Sequence, residues 1–168
     1  MKKNIITLLS ISLIAVLFLS NCKKDEDTTT PEAMTTAIIK GKVFASLNTA
    51  NDTTSNGFYQ LNQETAPVGT KIIAVVNAAD LVVNPIAGHT YEDITFETTV
   101  DANGEYSITV DAIAQDANYT IKAQDFIYDQ TVMDVYPATK TERKVFTAAD
   151  QNTSIVKNNT KVIDITYN

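Results

Sequence analysis

Apolar residues alternate with polar ones along most of this chain, and no segment after the first twenty-odd residues shows a 3.6-residue apolar period. Residues 37–46 predict a first strand. Ile39, Gly41, Val43 and Ala45 fall on one face, and Ile38, Lys40, Lys42 and Phe44 on the other. Residues 47–65, LNTANDTTSNGFYQLNQET, are rich in Asn and Thr and read as a long loop or a weak hairpin. Ala66-Pro67-Val68-Gly69 is a turn, and the β-branched run from Thr70 to Asn77 suits a strand central to its sheet. Asn84-Pro85 and Ala87-Gly88 mark a connection. Ile94, Phe96, Thr98 and Val100 then alternate up to Asp101-Ala102-Asn103-Gly104, and Tyr106, Ile108 and Val110 alternate after it. This pattern predicts a hairpin over residues 94–111. Tyr119, Ile121 and Ala123 make another strand. Thr131 to Tyr136 and Arg143 to Ala148 are weaker ones. Residues 161–167, KVIDITY, close the chain as a strand with Ile163, Ile165 and Tyr167 on one face. About seven or eight short strands separated by turns imply an all-β, two-sheet β-sandwich.

The first residues follow a different rule. Lys2 and Lys3 precede a fifteen-residue apolar run from Ile5 to Leu19, broken only by the hydroxyls of Thr7, Ser10 and Ser12. A permanent membrane span needs about 20 apolar residues. A basic start, a short apolar run and small or polar residues at its end describe a secretory signal peptide over residues 1–21. Residues 22–36, with Lys23-Lys24-Asp25-Glu26-Asp27 and then Thr28-Thr29-Thr30-Pro31, carry no apolar period and read as a flexible tether. Residues 37–168 form the sandwich domain.

Leu19-Ser20-Asn21-Cys22 resembles the lipobox of bacterial lipoproteins, with Asn21 standing where that family has a small residue. The resemblance implies cleavage before Cys22 and attachment of diacylglycerol to its sulfur. Membrane lipid, reached through Cys22, is then the first expected partner. Each buried methylene contributes about 0.8 kcal/mol, so several acyl chains make such an anchor effectively permanent. The lysine-then-acid run after Cys22 resembles the surface-export signal of Bacteroidota lipoproteins. It implies an outer-membrane location, facing the cell surface. Asp27-Thr28-Thr29 and Asp52-Thr53-Thr54 resemble the short O-glycosylation sites of the same group.

A second resemblance lies in the sandwich. Gly41-Lys42-Val43, Pro67-Val68-Gly69-Thr70-Lys71-Ile72, the stretch from Thr99 to Ile108, and Tyr119-Thr120-Ile121 are similar, in order, to motifs of the carboxypeptidase regulatory-like (prealbumin-like) domain. That family implies an Ig-like or prealbumin-like sandwich acting as an accessory or binding module. It carries over no site residue. The segment between the first two strands is longer than in the family, and the chain after Phe126 extends beyond its core.

Composition narrows the chemistry. The 168 residues include 13 basic and 20 acidic ones, for a net charge of −7. Such a surface repels phosphate backbones, which argues against a nucleic-acid partner. One Cys excludes an intramolecular disulfide, and one His excludes Cys-His zinc sites of the usual kind within one chain. His89 lies beside Gly88 in a polar connection and reads as a loop histidine. Asp101-Ala102-Asn103-Gly104-Glu105 has the look of a calcium loop's start but lacks the distal Glu, and a turn accounts for every residue. No pair among the carboxylates stands out as a catalytic acid and base. The expectation is therefore no enzyme, no cofactor and no metal.

Phe58, Tyr59 and Tyr91 fall on polar loops, where two readings stay open. Loop aromatics commonly cap one end of a core. They also anchor partners, here a glycan or an envelope protein. The chain is thus expected to be a lipid-anchored, non-catalytic binding or accessory module. The alternative is a structural subunit of an outer-membrane or envelope complex, joined through an exposed strand edge.

Overall fold

The computed structural model describes residues 35–52 and 58–168, which belong to a compact unit running from Met34 to Asn168. The expected signal peptide, Cys22, the tether up to residue 34, and Thr28 and Thr53 lie outside the described residues.

Strand β1 (Thr36–Ala45) is the centre of the first sheet. Ala37, Ile39, Val43 and Ala45 point into the core, as the alternation predicts. Along one edge β1 pairs antiparallel with β5 (Glu105–Asp111), and beyond it with the two-residue β2 (Glu64–Thr65). Val43 joins the two: its N–H donates to Gly104 O, and its carbonyl accepts from Ala66 N. Along the other edge β1 pairs parallel with β10 (Thr160–Val162) and β11 (Ile165–Tyr167). The second sheet is antiparallel throughout. Its order is β4 (Asp93–Thr99), β3 (Lys71–Asn77), β6 (Ala117–Ala123) and β9 (Gln151–Ile155). β3 is central, as its apolar run predicts. Ile72, Ala74 and Val76 from β3 and Tyr119 and Ile121 from β6 share one buried cluster with Ile39, Val43, Ile108 and Ile165. The molecule is an all-β sandwich. A separate two-stranded ribbon, β7 (Phe126–Met133) with β8 (Thr139–Phe146), projects from it.

Three expectations need correcting. The stretch 94–111 is not a hairpin. β4 pairs with β3, and β5 pairs with β1, so Asp101–Gly104 carries the chain from one sheet to the other. The expected faces are right: Tyr106, Ile108 and Val110 are buried, and Ile94 and Phe96 pack against the core. Alternation sets which side of a strand is apolar, but not which strand lies beside it. The ribbon strands are also displaced from the expected segments. β7 ends at Met133, and Tyr136 stands in the connection before Pro137. Finally, eleven strands are described in place of seven or eight. The additions are short (β2), polar (β9), or come from a break in the closing strand, which is split into β10 and β11.

That break has a local cause. Ile38 N–H donates to Asn159 O, and this spacing would bring Lys42 N–H to Ile163 O. The Ile163 carbonyl instead turns inward, where the Tyr106 hydroxyl donates to it at 2.9 Å. Lys42 N–H is satisfied by Asp164 Oδ1 at 2.8 Å. The turned carbonyl lies so close to Gly41 that a Cβ there would sit 1.9 Å from Ile163 O. Register is unchanged across the break: Ile38 faces Thr160 before it, and Val43 faces Ile165 after it. Burial pushes the phenols of Tyr106 and Tyr167 up to about 12, and that of Tyr119 higher still. Each hydroxyl donates to a backbone carbonyl, those of Tyr119 and Tyr167 to Asp111 and Gln124.

Gly41→Ala is expected to cost at least about 2 kcal/mol of stability, because the obstacle is backbone and cannot rotate away. Tyr106→Phe leaves the Ile163 carbonyl without its donor and is expected to cost about 1–3 kcal/mol. Urea denaturation of the two variants checks both, and a Gly41→Ala variant as stable as the parent would refute the close approach.

Candidate functional site

The two ends of the sandwich differ. At one end the chain joins β1 at Thr35, whose hydroxyl and carbonyl both bond to Ala112, next to the last residues of β5. The connection between β3 and β4 lies at this same end, because Tyr119, paired with Val76, donates its hydroxyl to Asp111 O. The opposite end lies the length of β1 away, about 30 Å for ten residues at ~3.3 Å each. It carries the 46–63 loop, the Asp101–Gly104 crossing and the root of the ribbon.

The described parts of the 46–63 connection, residues 46–52 and 58–63, are braced against β2 and against each other. Glu64 reaches back from β2, and its Oε2 accepts from Leu47 N and Asn48 N at 2.9 and 3.1 Å. Its Oε1 accepts from Asn51 Nδ2 at 3.1 Å. Asn48 caps the 3-10 turn Thr49–Asn51 by accepting from Ala50 N. Asp52, only 3% exposed, closes the loop: its carbonyl accepts from Gln60 N and its Oδ1 from Asn62 N at 2.7 Å. A buried residue whose carboxyl oxygen and carbonyl each accept a backbone N–H is a structural clasp.

From this braced frame Phe58 and Tyr59 stand out, 73% and 74% exposed. They do not cap the core. That end is already plugged by Leu47 and by three rings. Phe126 stacks on Phe146 at 5.2 Å and meets Tyr167 edge-on at 4.7 Å. Tyr91 belongs to the other end. Its hydroxyl accepts from Ile86 N at 2.9 Å, its carbonyl accepts from Asn77 Nδ2 at 3.0 Å, and His89 packs edge-on against its ring at 4.6 Å. Tyr91 and His89 therefore organise the β3–β4 connection. The three candidate aromatics are not one site.

The Asp101–Gly104 crossing is a turn in every detail. Asp101 Oδ1 accepts from Asn103 N and Glu105 N, both at 2.8 Å. Those two bonds, Glu105 first, hold its carboxyl below the usual carboxylate range. Gly104 has φ +75° and presses on Thr65, so no other residue fits there. Among the described residues no three His, Cys, Asp or Glu side chains converge as a metal site. Two open surface depressions lie among the described residues. One of about 320 Å³ lies over Gly41 between Lys40, Lys42, Glu105 and Val162, and one of about 340 Å³ lies over Thr120 and Asn152.

Two exposed residues escape the sequence reading. Val135 and Tyr136 lie at the ribbon tip, 74% and 79% exposed, ahead of a cis Tyr136–Pro137 bond. The available signal was Pro137, which marks a turn where a strand was expected to run through Tyr136.

Asp101→Asn is expected to flatten the acid limb of the stability profile. A depressed carboxyl stabilises the fold fully above its unfolded pKa, and the effect fades as pH falls through the lower folded value. The window thus lies at and below the ordinary aspartate pKa of about 3.9. Urea denaturation from neutral to strongly acidic pH measures it, and parallel profiles for parent and variant would refute this role.

No family model matches the chain, and no curated protein or solved structure is significantly similar to it.

Proposed function

We propose that the protein is a lipid-anchored lipoprotein of the bacterial envelope, held in the outer membrane through Cys22 and displayed at the cell surface. Its sandwich serves as a non-catalytic binding or accessory module. One observation carries the binding role: Phe58 and Tyr59 are exposed on a braced loop at the far end of β1 from Thr35, where the tether joins. Exposed aromatic residues are enriched among the anchors of binding surfaces. The anchor itself is carried by the resemblance of Leu19–Cys22 to a lipobox.

A second reading has its own support. Seven of the eight residues of β8 are exposed, and among the described residues β8 pairs with β7 alone, which leaves its outer edge for a partner strand. This favours a structural subunit of an envelope complex.

Mass spectrometry of the mature N-terminus tests the anchor. An acylated Cys22 is expected, and an unmodified one refutes it. Protease treatment of intact cells tests display, which complete protection would refute. For the module, ligand retention should fall on Phe58→Ala or Tyr59→Ala. Should crosslinking instead recover one stoichiometric envelope protein, lost on substitution of β8 and insensitive to those two changes, the structural-subunit reading replaces it.

A further inference from the structure

We infer that the Phe58–Gln63 loop and the ribbon tip at Val135–Tyr136 are two sides of one binding surface, and that its ligand is an uncharged polysaccharide. The inference rests on the binding-module reading and adds a second half to the site and a ligand class.

The juxtaposition comes from the backbone. Asn48 pairs with Thr131 in a parallel bridge, so the chain leaving β1 and strand β7 run side by side in one direction. Thr131 N–H donates to Leu47 O at 3.0 Å, and Gln130, itself buried, donates from Nε2 to Ser46 O at 2.6 Å. The same short turn that these bonds fasten to the ribbon also holds the aromatic loop. Asn62 Nδ2 donates to Asn51 O at 2.6 Å, and Gln60 N–H donates to Asp52 O. Both the aromatic loop and the ribbon are therefore hydrogen-bonded to the one segment Ser46–Asp52. Between them they expose three aromatic rings, those of Phe58, Tyr59 and Tyr136, with Leu61 and Val135 beside them.

Charge selects the ligand class. The loop Phe58-Tyr59-Gln60-Leu61-Asn62-Gln63 holds no ionisable group except the Tyr59 phenol, in a chain whose net charge is −7. Of the nearby acids, Asp52 and Glu64 accept from backbone N–H groups, while Asp134, beside Val135 at the ribbon tip, is an exposed carboxylate that an anionic ligand would meet. At the ribbon, Lys140 pairs with Glu142 at 2.8 Å, and Arg143 pairs with Asp129 at 2.9 Å. An anionic polymer or an anionic lipid headgroup would meet no cation in the loop and a repulsive overall field. The flat C–H faces of neutral sugar rings suit exposed aromatic rings. Their hydroxyls suit the exposed amides of Gln60 and Gln63, which can both donate and accept.

Affinity electrophoresis of the detergent-solubilised full chain tests this. The probes are neutral glucans, mannans, xylans and galactans, with polygalacturonate as the charged comparison. Retardation by at least one neutral polymer is expected, insensitive to added salt. Tyr59→Ala and Tyr136→Ala should each weaken it about tenfold. Tyr136→Phe should retain it, as should Ile86→Ser at the opposite end of the sandwich. Circular dichroism of each variant establishes that it is folded. Loss with Tyr59→Ala but not with Tyr136→Ala overturns the two-sided surface and leaves the module reading standing. Retardation by polygalacturonate alone, or capture of a protein in place of any glycan, overturns the ligand class and leaves the module. Absence of any ligand sensitive to Phe58 or Tyr59 overturns both.

Discussion

The closest constraint in the structure is the backbone contact between Gly41 and Ile163. β1 has partners on both edges, so the first sheet can be no better ordered than β1 itself. At Gly41 the chain's last strand turns a carbonyl into the sandwich, and only a residue without a Cβ leaves room for it. Three other groups then fall into place. The Tyr106 hydroxyl satisfies the turned carbonyl, Asp164 substitutes for it as acceptor to Lys42, and the strand resumes in unchanged register at Ile165. An unsatisfied carbonyl in this interior would cost about 1–3 kcal/mol, so these residues are coupled. The Gly41-Lys42-Val43 stretch thus has a packing role complete in itself.

The two ends of the sandwich are closed by different groups. Near Thr35, Asn77 and Tyr91 organise the β3–β4 connection by hydrogen bonds to its backbone, and Val83 and Ile86 stay exposed on it. At the far end the core is closed by Leu47, Phe126, Phe146 and Tyr167, which leaves Phe58, Tyr59 and Tyr136 outside it. A loop need not be loose to present such rings. Glu64 and Asp52 fasten the residues on either side of this one by five hydrogen bonds, to Leu47, Asn48 and Asn51 and to Gln60 and Asn62. The ribbon adds a second projection, tied to the sandwich by Gln130 and by the contact of Phe126 with Tyr167.

Much of the fold was legible in the residues because side-chain alternation is a local property. Ile39, Val43 and Ala45, and Tyr106, Ile108 and Val110, are buried as their spacing requires, and the apolar run at 71–77 is central. Strand pairing was not legible. β4 and β5 look like a hairpin because a good turn joins them, yet the turn spans the two layers. Strand β9, QNTSI, carries little apolar signal because only one of its faces meets the core, through Ile155. The fate of Phe58 and Tyr59 was likewise open, since their exposure depends on rings nearly 70 residues or more further along the chain having filled the end of the core.

The amino-acid order alone determined the class of structure, the inward face of the main sandwich strands and the turns at Pro67–Gly69 and Asp101–Gly104, because these follow from side-chain period and backbone conformation within a few residues. Only the tertiary structure decided which strands are neighbours, where the closing strand must break and which aromatic rings remain in water. Those outcomes depend on backbone atoms and side chains far apart in sequence competing for the same space.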